Sequence, residues 1–212
     1  MLKSHAFCAL LLLLGSQVAM AVPIEYRFTG NIFGSLDGVD FGYTSYELTL
    51  TADSDYVWVW GGSEPGYPIY QNLSAPGDAV IDIAGVGQLT FIQGLLLVAQ
   101  SGAPYTGCED CIGILDAKAP GGAFIFLASD PTLVGHDLTT SVAEVTTNRY
   151  GTTSFGPALL TDGGQLVANV DTFTFSAATV PVPAAAWLFA SALGLAAWLR
   201  RRAPGAPSRA PA

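Results

Sequence analysis

The sequence predicts an all-β protein: an antiparallel, jelly-roll-like β-sandwich flanked by an N-terminal signal-peptide helix and a single C-terminal transmembrane helix. Three observations carry this. Short runs between residues 22 and 179 alternate apolar and polar side chains with the period of two that buries one face of a strand. Gly, Pro, Asn and Asp separate those runs as turns. Only 12% of the residues are charged, and the middle of the chain favours Gly, Thr, Ser and Asp over Lys and Glu, a composition of sheet rather than of solvated helix.

Residues 1–21 have the three parts of a secretory signal in order. Lys3 supplies the positive start, residues 6–15 are an apolar run too short to span a bilayer, and Ala19 and Ala21 are the small residues a signal peptidase requires before its cut. The mature chain is expected to begin at Val22.

The body occupies residues 22–179. Ile24, Tyr26 and Phe28 alternate with Glu25, Arg27 and Thr29, and Tyr46, Leu48 and Leu50 with Glu47, Thr49 and Thr51. Near its end, Val170, Thr172 and Thr174 alternate with Asp171, Phe173 and Phe175. Further candidate strands are 56–60, 79–84, 88–99, 112–117, 122–128 and 141–147, with turns at Gly102, Gly121-Gly122 and Asp162-Gly163-Gly164. No internal repeat or linker divides this stretch, so it is read as one domain, of a length ample for a core.

Residues 182–199 are uncharged, near the lower limit for a membrane-spanning helix. Pro181 and Pro183 are tolerated only at the first turn of such a helix and so mark its start. Trp187 and Trp198 lie towards its two ends, as interfacial aromatics do, and Ala190, Ser191, Ala192 and Gly194 keep one stretch small enough for a partner helix. Arg200, Arg201 and Arg202 follow as a stop-transfer signal that stays cytoplasmic. Residues 203–212 are a Pro/Ala-rich tail, expected to be disordered.

Val180-Pro181-Val182-Pro183, then Ala-Ala-x-Trp-Leu-Phe, then the Gly/Ala/Leu-rich span and the Arg run, resemble the PEP-CTERM sorting signal. Val182 stands where the name-giving motif has Glu, in the manner of the VPxPAAxWLF subtype. The resemblance covers residues 180–202, about a tenth of the chain. It implies an exosortase-type membrane protease or transpeptidase as partner, besides the signal peptidase. It also implies transient anchoring with the body outside, a cut near the Pro-containing motif, and a final place at the cell surface or in the exopolysaccharide matrix of a bacterium.

Charge narrows the partners. All 17 acidic residues fall between Glu25 and Asp171, and of the 8 basic residues only Arg27, Lys118 and Arg149 share that stretch. So acidic a body repels nucleic acid and anionic lipid.

Candidate chemistry is sparse. Cys108 and Cys111 remain once Cys8 leaves with the signal, and in an oxidising compartment they read as a structural disulfide pinning a loop. A zinc site would need two more ligands, and Glu109 and Asp110 between the cysteines would raise thiol pKa values, against a redox role. Tyr56, Trp58 and Trp60 would share one face of a strand, where aromatic rings can stack on sugars. Val57 and Val59 on the other face instead suggest a strand buried on both sides. Asp53-Ser54-Asp55 and Asp37-Gly38-Val39-Asp40 carry oxygen ligands suited to Ca²⁺, without completing a known calcium loop, and turn chemistry accounts for them. His136-Asp137 are mere sequence neighbours and no nucleophile elbow accompanies them; a loop histidine of this kind is expected to be solvated. The chain is therefore expected to be an exported envelope or matrix protein without a catalytic role, cofactor or metal. A carbohydrate-binding surface module is the alternative, and a secreted hydrolase the second alternative.

Overall fold

The computed structural model describes residues 22–61, 68–100, 110–116, 124–149 and 159–181, with Ser191, Ala192 and Gly194 in the tail. The body is all-β and antiparallel, as the alternation predicts. In chain order its strands are β1 (Pro23–Leu36), β2 (Val39–Asp40), β3 (Thr44–Asp53), β4 (Trp58–Gly61), β5 (Pro68–Leu73), β6 (Ala79–Ile83), β7 (Gly87–Thr90), β8 (Leu95–Gln100), β9 (Cys111–Asp116), β10 (Phe124–Ser129), β11 (Val142–Arg149), β12 (Leu159–Thr161) and β13 (Gly164–Thr179). Single 3₁₀ turns sit at Ser54–Tyr56 and Pro131–Leu133.

Hydrogen bonding joins the strands in the order β4-β5-β8-β9-β10-β11-β13-β1-β3-β6-β7, with β2 beside β1 and β12 beside β13. β11 is the turning point: residues 142–147 pair with β13, while Asn148 and Arg149 pair with β10. The two halves of this path close over one core, in which Tyr26, Phe28, Leu48 and Ile81 join Leu97 of β8 and Ile112 of β9. At the far end Phe91 bridges Thr161, and Ile92 N donates to Leu160 O, so the β7 end is tied back to β12.

Hairpins join chain neighbours in β4–β5, β6–β7, β8–β9–β10 and β12–β13, while β1–β13, β3–β6 and β5–β8 set sequence-distant strands side by side. Local turn chemistry favours the hairpins. Between β1 and β2, Asp37 and Gly38 take φ of 48° and 77°, the two left-handed positions of the hairpin turn for which Asp-Gly is suited.

In β1, Ile24, Tyr26 and Phe28 are wholly buried, and β3 buries Tyr46, Leu48 and Leu50. On the outer face Arg27 pairs with Glu25 at 3.8 Å and Glu47 at 3.4 Å, exposed contacts worth less than about 1 kcal/mol each. β13 departs from simple alternation. Gly30 opposes Phe173 and Ile32 opposes Val170, so Asp171 and Thr172 together face the single residue Asn31. This β-bulge switches parity, and Val170 and Phe173 both point into the core. Phe173 then meets Phe28 edge-on at 5.5 Å, and Phe175 meets it tilted at 5.0 Å.

Three strand expectations also change. The run 88–99 is divided into β7 and β8. Tyr56 belongs to a 3₁₀ turn rather than to β4. Residues 68–73, which none of the expected strands covers, form β5. Gly102 and Gly121-Gly122 lie outside the described residues, as does the segment 1–21. Of the C-terminal helix, Ser191, Ala192 and Gly194 are helical and exposed, and the rest of 182–212 lies outside the described residues. Among the described residues no helix is long and apolar enough to cross a membrane.

Candidate functional site

Two regions carry the sequence-predicted sites. The first is the aromatic edge. Asp53 caps the 3₁₀ turn, its Oδ1 accepting from Asp55 N at 2.8 Å, and the chain leaves that turn through Tyr56 into β4. Tyr56 is 71% exposed, Trp58 42% and Val59 56%, while Val57 packs against the core. The expectation of a strand buried on both sides is thus corrected. Among the described residues β4 ends the strand path and has a neighbour on one side only, and Trp58 and Val59 meet water. Trp58 stands opposite Gln71, and Gln71 opposite Val98. Val98 forms a second small apolar cluster with Ile69 and Leu96. The side chain of Trp60 lies outside the described part of the structure. An exposed indole and phenol beside an amide can stack on and hydrogen-bond a sugar.

The acidic pairs serve turns. Asp53 is the cap just described, and Asp37 Oδ1 accepts from Gln165 N at 2.7 Å, pinning the β1–β2 turn to β13. Among the described residues no group of three His, Cys, Asp or Glu could hold a metal ion. An open cleft of about 440 Å³ at this turn end is lined by Asp37, Asp40, Val39, Phe41 and Val86 among others. Its two carboxylates belong to one hairpin, and Asp37 is already committed to the backbone. Cys111 opens β9, is 1% exposed and is disulfide-bonded, which excludes its service as a free thiol; Cys108 lies outside the described residues.

His136, expected in water, is buried at 8% exposure, its ring 6.1 Å from that of Phe175 and its Nε2 without a partner among the described residues. Loss of solvent pushes its pKa below the ordinary 6.5, and Asp137 opposes this. Asp137 Oδ1 instead accepts from Thr139 N at 3.0 Å and Thr139 Oγ1 at 2.8 Å, so the pair has no catalytic geometry. Nearby lies a network with no signature in the sequence. Tyr26 Oη donates to Leu138 O at 2.5 Å and accepts from Asn72 Nδ2 at 3.1 Å, and Asn72 also donates to Asp53 O at 3.1 Å. Burial pushes the Tyr26 phenol up to about 12. The network ties β1, β5 and the Leu138 loop, where Leu138 holds a left-handed φ of 63°.

The second region is the pair of chain ends. Ile24 opposes Thr179 in the β1–β13 ladder, and Val180 N donates to Pro23 O at 2.8 Å. Val22 O accepts from Ser54 N at 3.3 Å. Val22, the expected first residue of the mature chain, and Val180, where the expected sorting motif begins, therefore lie just outside the adjoining strands β1 and β13, at one end of the body. Pro181 is exposed just beyond. Ala19, Ala21, Val182, Pro183, Arg200, Arg201 and Arg202 lie outside the described residues.

No family model, curated protein or solved structure matches this chain. What its regions can do is decided by chemistry alone. The aromatic edge is a surface for stacking. At the paired ends, β13 stops at Thr179 and the exposed Pro181 just beyond it has no N–H with which to extend the ladder.

Proposed function

We propose that this chain is an exported bacterial envelope or extracellular-matrix protein with no catalytic role. Its all-β body, packed as a sandwich, is carried between a signal-peptide helix and a single transmembrane helix, and is sorted by an exosortase-type protease through residues 180–202. One observation carries the reading: Val180-Pro181-Val182-Pro183 leads directly into an uncharged run closed by Arg200, Arg201 and Arg202. The place where β13 ends supports it, because Thr179 is the last strand residue and the motif begins at the next position.

Mass spectrometry of the intact mature protein tests this. A start at Val22 and an end near Pro183 are expected. The double variant Pro181→Ala, Pro183→Ala should accumulate as a larger, membrane-held form. Unchanged size and release would remove the motif from the process.

The exposure of Tyr56 and Trp58 favours a second reading for the body itself, a carbohydrate-binding surface contacting exopolysaccharide. Affinity electrophoresis in gels containing the host's exopolysaccharide should show retardation. Trp58→Ala should weaken it by about tenfold, a loss of about 1–2 kcal/mol of the kind an aromatic stacking partner supplies. Mobility that is the same with and without polysaccharide would eliminate this surface as a sugar site.

A further inference from the structure

β13 carries the body's pairing up to the edge of the sorting motif. Its ladder with β1 runs from Leu36 opposite Leu166 to Ile24 opposite Thr179, and one hydrogen bond further Val180 N meets Pro23 O at 2.8 Å. On its other side β1 is held by β3 along the same residues, Pro23 opposite Asp53 and Ile24 opposite Ala52. β1 therefore cannot swing aside to release β13; only β13 can peel from it. Ala177 is 3% exposed, whereas Ala178 and Thr179 are exposed, so peeling that stops at Ala178 uncovers little core.

An enzyme that takes a peptide in extended form holds it largely through backbone hydrogen bonds. In Val180-Pro181-Val182-Pro183 the prolines have no N–H to offer, which leaves Val180 and Val182 as the motif's backbone donors. The Val180 N–H is already bonded to Pro23 O, and a backbone donor engaged in a ladder is not available to a second acceptor. Between Val180 and Val182, where the apolar helix is expected to start, there are at most about 7 Å of extended chain. The motif is thus short, poor in donors and half tied to the sheet.

We infer that cutting at the sorting motif requires the last rungs of the β1–β13 ladder, from Val180 back to Ala178, to peel open, so that the folded body governs how fast its own tail is removed. This rests on the sorting reading above and adds a means of control to it.

A reversible lock tests it in the full chain, expressed in cells whose exosortase-type activity trims the wild type. Glu25 and Ala178 are ladder partners in a hydrogen-bonded register, where Cα atoms lie about 5.5 Å apart, within the span of a disulfide. The oxidised Glu25→Cys, Ala178→Cys protein should lose its signal normally but be trimmed at its C-terminus at least about tenfold more slowly, with wild-type trimming restored by a reductant. A second variant needs no new bond: inserting Gly-Ser-Gly-Ser between Val180 and Pro181 supplies free donors, so the tail should be trimmed faster than in wild type and equally fast with or without the lock. Wild-type trimming of the oxidised chain, or an insertion that leaves the rate unchanged, overturns this inference alone. A wild-type chain that is never trimmed overturns it together with the sorting reading.

Discussion

Phe28→Ala is expected to destabilise the body by about 3–5 kcal/mol, the usual cost of emptying a fully buried aromatic site, and to lower its melting temperature by roughly 10–15 °C. Phe28 is wholly buried, stands opposite Phe175 in the ladder, and touches both Phe173 and Phe175. Strands on both sides of β1 fix its backbone, so the walls cannot close into the space the ring leaves. Phe28→Leu keeps most of the burial and should cost less than about 1.5 kcal/mol. Thermal unfolding followed by circular dichroism reads both. A drop of only a degree or two for the alanine variant would mean that these three rings do not form the centre of the core.

Gly34→Ala is expected to be nearly as damaging, although in a strand alanine should gain about 0.5–1 kcal/mol over glycine from backbone entropy. A Cβ at Gly34 would come within 2.0 Å of Val167 O and 2.7 Å of Ala168 Cα. Both are backbone atoms of the paired strand, so no side chain can turn aside to make room. The β1–β13 ladder must shift, at a cost of about 3 kcal/mol, the upper end of what overpacking extracts. Ser35→Ala, one residue on, should change stability by no more than about 0.5 kcal/mol. Urea unfolding with an unchanged slope would attribute the difference to stability rather than to the denatured chain. Equal midpoints for Gly34→Ala and wild type would show that the two strands lie further apart than this register allows.

Alternation in β1 and β3 was legible because both strands run unbroken beside their partners, so parity alone divides Ile24, Tyr26 and Phe28 from Glu25, Arg27 and Thr29. In β13 the same rule placed Val170 with Thr172 and Thr174. A bulge leaves both flanking segments alternating and differs only in where parity changes, and nothing in Asp171-Thr172 marks the extra residue. β5 is hidden in the sequence because Pro68 and the glycines before it have the composition of a loop, although proline is tolerated at the first residue of a strand. At the aromatic edge, Val57 and Val59 suggested burial because strand position was unknown, and a valine on an outermost strand looks the same in sequence as one in the middle. The burial of His136 is hidden for the converse reason, since a loop that packs under Phe175 has the composition of one that does not. Asp37-Gly38 was legible, because its chemistry is local to two residues.

The central place of β1 has a consequence for the newborn chain. Synthesis delivers this strand first and its partner β13 last, with nearly the whole body between them. Until residue 179 has been made, Ile24, Tyr26 and Phe28 have cover from β3 but none from the other flank, and a contact so distant along the chain forms slowly. The polypeptide therefore stays pliable while it grows, and sets only when its final strand slides in beside its first.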